Sequence, residues 1–195
     1  MRLVNTITFF RIVSFPVLVF LLFTRNLEVF KWLIVAGFLT DALDGFLARK
    51  LKAQSILGAR FDSIGDDLTV LAAILGLFVF QPEFLRKEWL IITILLILFF
   101  IQTGYAFLKY QKMTSFHTYG AKLAAVFQGL FLCSMFFFKE PAYWLFYSTV
   151  ILTGLELIEE ISMVYVLRNW KSDVRGLYWA IQIKKERDVT PHPQD

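Results

Sequence analysis

The segment Trp89–Leu108 holds 20 consecutive residues without one charge. Wound as a helix rising about 1.5 Å per residue, such a run reaches about 30 Å, the hydrocarbon thickness of a bilayer. Five further runs approach that length. Leu3–Thr24 carries only Arg11 as a charge, and Trp32–Thr40 continues past Asp41 and Asp44 to about Ala48. Leu68–Pro82 extends back through Asp67, Asp66 and Asp62 to about Gly58. Leu123–Phe138 is followed by Pro141–Leu155, which continues past three glutamates to about Leu167. Six helical spans are therefore expected, at roughly 5–24, 29–48, 58–80, 89–109, 119–138 and 142–167. Continuous runs of this kind do not alternate as barrel strands do, and helices satisfy their own backbone hydrogen bonds in hydrocarbon.

Composition removes the main alternatives. Of 195 residues, 57% are hydrophobic and 18% charged, with a mean hydropathy of +0.61. A chain this short cannot bury so much apolar surface in a water-facing globule. One cysteine, Cys133, excludes a disulfide scaffold, and the hydrophobic content excludes disorder. The expected fold is an all-α integral membrane protein: six transmembrane helices, a short N-terminal interfacial segment and a C-terminal cytoplasmic tail. Residues 1–167 form the membrane domain and 168–195 the tail, whose Trp170, Tyr178 and Trp179 suit an interfacial helix. No separate signal peptide is expected, because little basic charge precedes the first run and no small-residue cleavage site follows it.

The basic residues orient the chain. Connections on one side, together with Arg2 and the tail, hold 14 of the 20 lysines and arginines; the other side holds Arg25, Lys31, Arg86, Lys87 and Lys139. Positive residues accumulate on the cytoplasmic side, so both termini are expected there, in a bacterial-type inner or cell membrane. The spread of basic charge over loops favours anionic lipid and argues against a nucleic-acid partner.

Acidic residues are the exception to this pattern. Asp41, Asp44, Asp62, Asp66 and Asp67 lie at the inner ends of spans two and three, where each ionisable group costs about 2.5–3.5 kcal/mol to insert. Spacings of i, i+3 for Asp41 and Asp44 and of i, i+4 for Asp62 and Asp66 put each pair on one helix face. Aspartates at a membrane boundary can also be plain solvated ends or helix caps, which suits one or two of them. Four together repel unless a cation neutralises them, and oxygen-only ligands select hard ions such as Mg²⁺, Mn²⁺ or Ca²⁺. Mg²⁺ commonly shares its shell with substrate phosphates. Gly45, Ala48 and Gly58 allow close approach of backbone and ligand, and Arg49 offers a phosphate-binding fork.

The stretch DALDGFLARKLKAQSILGARFDSIGD, residues 41–66, resembles the signature of the CDP-alcohol phosphotransferases, D-x2-D-G-x2-A-R-x8-G-x3-D-x3-D. Asp41, Asp44, Gly45, Ala48, Arg49, Gly58, Asp62 and Asp66 fill its eight fixed positions. The resemblance implies transfer of a substituted phosphate from a CDP-linked donor to an alcohol, with release of CMP. It implies that Asp41, Asp44 and Asp62 are metal ligands, and that Asp66 binds a second metal and deprotonates the acceptor hydroxyl. Gly45, Ala48, Arg49, Ser55 and Gly58 would then line the donor site. Two ions, Mg²⁺ or Mn²⁺, are the implied cofactors. The opening LVNTITFFRIVSFP, with Asn5, Thr8, Arg11 and Pro16, is similar to the phospholipid-synthesising branch, where it borders the donor; Asn5 and Thr8 also read as capping or lining an interfacial helix. Lys122 resembles the acceptor-phosphate position of enzymes acting on glycerol phosphate and inositol phosphate, and also reads as an ordinary cytoplasmic lysine. The expected reaction moves a phosphatidyl group from CDP-diacylglycerol to a small polar alcohol, glycerol 3-phosphate first, as in phosphatidylglycerophosphate synthases. Inositol phosphate, inositol, serine and another phosphatidyl lipid remain as acceptors. Membrane lipids and a second copy of the chain are the implied partners. A divalent-cation transporter and a non-catalytic scaffold are the competing classes. A transporter would place its carboxylates near the midplane, and both leave Gly45, Ala48 and Arg49 without a purpose. Arg11, deep in span one, is expected to pair with Glu159 or Glu160 in span six.

Overall fold

The computed structural model describes the backbone of residues 2–51, 56–116 and 118–189, and the side chains of 11–40, 68–116 and 118–186, with Gly65. Among the described residues there are seven α-helices and no strand: α1 Arg2–Phe23, α2 Leu27–Leu51, α3 Ile56–Phe80, α4 Pro82–Tyr110, α5 Tyr119–Phe137, α6 Tyr143–Val166 and α7 Leu177–Val189. The first six fall on the six apolar runs. Helix α1 begins at Arg2, so the residues before position 5 are its first turn rather than a separate segment. Helices α4 and α5 are long and apolar enough to cross a membrane.

Local chemistry explains where the helices start and stop. Arg25, with a φ of 52°, ends α1 in the left-handed region, the conformation that commonly closes a helix. Asn26 then caps α2 by accepting the Val29 N–H through Oδ1 at 3.2 Å. Gln111 repeats the left-handed stop after α4, with a φ of 53°. Its N–H donates to the Phe107 carbonyl at 2.9 Å. Thr118 caps α5, its Oγ1 accepting from the Ala121 N–H at 2.9 Å.

The chain divides into two compact units. The first comprises Met1–Lys87 and Gly129–Ala142. Within it α1 packs on both α2 and α3, and α2 packs on α3. The buried face of α3 is a line of small residues, Gly65, Thr69, Ala72, Ala73 and Gly76. Spacings of four, three, one and three keep them on one side of the helix. A Cβ on Gly76 would sit 2.7 Å from ring atoms of Phe30, and one on Gly37 would sit 2.9 Å from the Thr69 methyl. Backbone-close packing through small residues is how helices associate where lipid removes the hydrophobic drive. Phe30, Phe80 and Phe136 close the far end, with ring centroids 5.2–6.4 Å apart. Gln81 Nε2 donates to the Met135 carbonyl at 2.8 Å.

The second unit comprises Glu88–Gln128 and Tyr143–Asp195. Its core gathers Ala106, Phe116, Met163, Val164, Leu167, Val174 and Ala180, so α7 is packed against the end of α6. The last carbonyls of α6 are covered. Lys109 Nζ donates to Val164 at 2.7 Å, and the Tyr110 hydroxyl lies 2.6 Å from the Leu167 carbonyl. Trp170 Nε1 donates to the Met113 carbonyl at 2.9 Å, fastening the segment before α7.

Candidate active site

The eight motif residues lie on the α2–α3 pair. Asp41, Asp44, Gly45, Ala48 and Arg49 are in the second half of α2, and Gly58, Asp62 and Asp66 are in the first half of α3. The side chains of all eight lie outside those described, as does the whole of Ser55. Backbone register nevertheless relates the two halves. The helices run in opposite directions from a four-residue connection, 52–55, and meet where Gly37 faces Thr69. Stepping four residues towards the connection on both helices sets Asp41 opposite Gly65, and three more set Asp44 opposite Asp62. Asp66 is one residue from that line. The four acidic positions therefore occupy about one turn of each helix, at one level of the pair.

That level is closely packed. Gly65 is buried, and its carbonyl accepts from the Thr69 hydroxyl at 2.9 Å. A Cβ on Gly65 would lie 3.3 Å from both Cβ and Nε of Arg11. Arg11 is 1% exposed. Sequence reasoning placed Arg11 against Glu159 or Glu160. Within the first unit Arg11 lies against Gly65, and within the second unit the glutamates have partners of their own. Glu159 Oε1 accepts from the Leu177 N–H at 3.0 Å. Glu160 Oε2 accepts from Gln102 Nε2 and, at 3.1 Å, from the Thr114 hydroxyl. Gln102 Nε2 also reaches Thr114 Oγ1 at 2.9 Å, so the buried carboxylate is held by two donors, as buried charge requires.

The remaining candidates are spread out. Asn5 and Thr8 are in the first turns of α1, with side chains outside those described. Lys122 is in the first turn of α5, exposed, with Nζ 5.5 Å from the Tyr119 ring centroid. Gly37, Gly65 and the Gln102–Thr114–Glu160 cluster were not anticipated. The signal for Gly65 was the small-residue spacing of α3; nothing in the sequence pairs Gln102 with Glu160.

By residue type the motif suits a divalent ion, since its acidic members are four aspartates with no cysteine or histidine among the fixed positions. Among the described residues no group of three or more histidine, cysteine, aspartate or glutamate side chains is placed to hold a metal. No curated protein and no solved structure matches the chain. The family model of the CDP-alcohol phosphatidyltransferases matches residues 1–155. Members of that family use divalent metals. The match takes in α1 to α5 and half of α6, including the whole α2–α3 pair and the apolar helices α4 and α5. The chain therefore belongs to the CDP-alcohol phosphatidyltransferases, membrane enzymes of phospholipid biosynthesis that transfer substituted phosphate groups.

Proposed function

We propose that the chain moves a phosphatidyl group from CDP-diacylglycerol to glycerol 3-phosphate, releasing CMP and forming phosphatidylglycerol phosphate. The observation that carries the reading is the complete eight-residue motif on one antiparallel helix pair, at one level. In this reading α1 to α6 all span the membrane with both termini cytoplasmic. Residues 1–167 are the catalytic domain and 168–195 an interfacial tail. The acidic level then lies at the cytoplasmic boundary, where the donor's acyl chains stay in lipid while a soluble acceptor arrives from water. The charge distribution of the loops supports that orientation.

Asp41, Asp44 and Asp62 would hold one divalent ion, and Asp66 would contribute to a second, Mg²⁺ or Mn²⁺. Bound there, such ions stabilise negative charge on a pyrophosphate as its bridging bond breaks. Asp66 takes the proton of the acceptor hydroxyl. The acceptor oxygen forms a bond to the phosphorus that bears diacylglycerol, the bridging P–O bond breaks in line, and CMP leaves with the electron pair. The proton passes from Asp66 to solvent. Gly45, Ala48, Gly58, Ser55 and Arg49, with Asn5 and Thr8, hold the CDP moiety. Lys122 receives the acceptor phosphate, and a homodimer is the assembly proposed.

The test is a panel. Purified protein with CDP-diacylglycerol and Mg²⁺ or Mn²⁺ is offered glycerol 3-phosphate, inositol phosphate, inositol and serine. CMP release is expected with glycerol 3-phosphate. Release with another acceptor alone reassigns the substrate, and folded protein that releases CMP with none overturns the transferase reading.

A further inference from the structure

Arg11 is the largest side chain fully buried among the described residues, and the one basic side chain buried among them. A guanidinium taken from water needs opposite charge near it, because the cost of desolvation is recovered only by close, well-oriented partners. It also stays protonated at all relevant pH. Its place in the fold indicates where that charge is. The Gly65 contact puts Cβ, Nε and Cζ of Arg11 within 3.5 Å of a Cβ position on α3. Gly65 follows Asp62 by three residues and precedes Asp66 by one, and the register of the pair sets Asp41 opposite it. The arginine thus meets α3 in the middle of the acidic level. The absence of a side chain at Gly65 is what admits it: an alanine methyl there would press on Cβ and Nε at 3.3 Å.

We infer that Arg11 is the resident counter-charge of the aspartate site, a positioning residue that holds the acidic level together before divalent ions arrive and moderates how tightly they bind. The inference rests on the reading of the aspartates as metal ligands. Four carboxylates at one level repel one another in a medium of low dielectric. A fixed cation at that level offsets part of that repulsion in the metal-free protein. The same charge repels an incoming divalent ion and so lowers its affinity. Divalent ions are thereby kept exchangeable at a site whose product must leave.

The experiment uses the full chain in detergent, with Mn²⁺ as probe, and reads Mn²⁺ affinity and thermal midpoint in chelator and in Mn²⁺. Arg11→Gln is expected to lower the midpoint in chelator, to regain more of it with Mn²⁺ than the wild type does, and to bind Mn²⁺ about tenfold tighter. Arg11→Lys, which keeps the charge, is expected to bind Mn²⁺ within about threefold of wild type by the same argument. Phe30→Leu serves as a packing control, losing stability equally in both conditions. Arg11→Gln that behaves like Phe30→Leu, or Arg11→Lys that tightens Mn²⁺ as Arg11→Gln does, overturns the inference. Should Arg11→Gln not fold, Arg11→Lys decides: wild-type affinity supports the role of charge, and altered affinity overturns it. Wild-type protein that binds no Mn²⁺ overturns the metal-site reading itself, a separate outcome.

Discussion

Asp66 and Asp62 are one helical turn apart on α3, yet the proposed chemistry asks different things of them. A metal ligand must stay ionised, whereas a base must accept a proton and pass it on. Asp66→Asn keeps shape and some ligand capacity but removes the proton acceptor. Its expected effect is a fall in turnover of about 10²–10⁴-fold, the range general-base catalysis supplies, with CDP-diacylglycerol binding within a few-fold of wild type. Turnover and donor binding measured on the same preparation check this, and retained turnover removes Asp66 as the base. At this scale the sequence was most informative for the motif, because eight residue types at fixed gaps can be read without coordinates. It was least informative for the partners of the α6 glutamates inside their own unit, Leu177 and the Gln102–Thr114 pair, which come from distant parts of the chain.

Elements were legible from apolar run length, and their ends agree with the expected spans to within a few residues, apart from α4. That helix begins at Pro82 rather than near Trp89, since the exposed Glu83, Arg86 and Lys87 suit the solvated opening turns of a helix as well as they suit a loop. Proline at a first helical position loses no hydrogen bond, and that was the cue. The start of α7 was less visible, because its cap comes from another helix. Glu159 accepts the Leu177 N–H at 3.0 Å, and its other oxygen is 3.0 Å from a Cβ position on Gly120, in the first turn of α5. One carboxylate thus serves the beginning of α7 and abuts the beginning of α5. Glu159→Ala should remove the cap, costing about 1 kcal/mol, and loosen α7 on α6. Faster amide exchange over residues 177–186, with α6 protection kept, is the expected readout. Unchanged exchange there would mean that the apolar contacts of Ala180 and Leu177 suffice alone.

For the whole molecule, the prediction concerns sidedness. Single cysteines placed in a Cys133→Ser background, in inside-out and right-side-out vesicles, report which loops face the cytoplasm. Lys112→Cys and Lys171→Cys are expected to label from the cytoplasmic side and Lys139→Cys from the other, since basic residues concentrate on the first. Labelling of Lys139→Cys and Lys112→Cys from the same side would break the six-span arrangement. Tyr178, Trp179 and Ile181 are exposed on α7 beside Lys184 and Lys185, the mixture of aromatic and basic side chains that suits a headgroup layer.

The glycine contacts along α2 and α3 bear on how the enzyme lives in a changing bilayer. Gly37 against Thr69 and Gly76 against Phe30 set the separation of the two helices by hard contact with backbone. Flexible side chains that could repack as lipid thickness or lateral pressure varies have little part in that seam. Such a seam works as a fixed gauge: the bilayer can tilt the pair or press on its outer phenylalanines without altering the gap between the acidic rungs. A transferase whose own substrate and product are membrane lipids would then keep a constant reaction geometry while it alters the solvent around it.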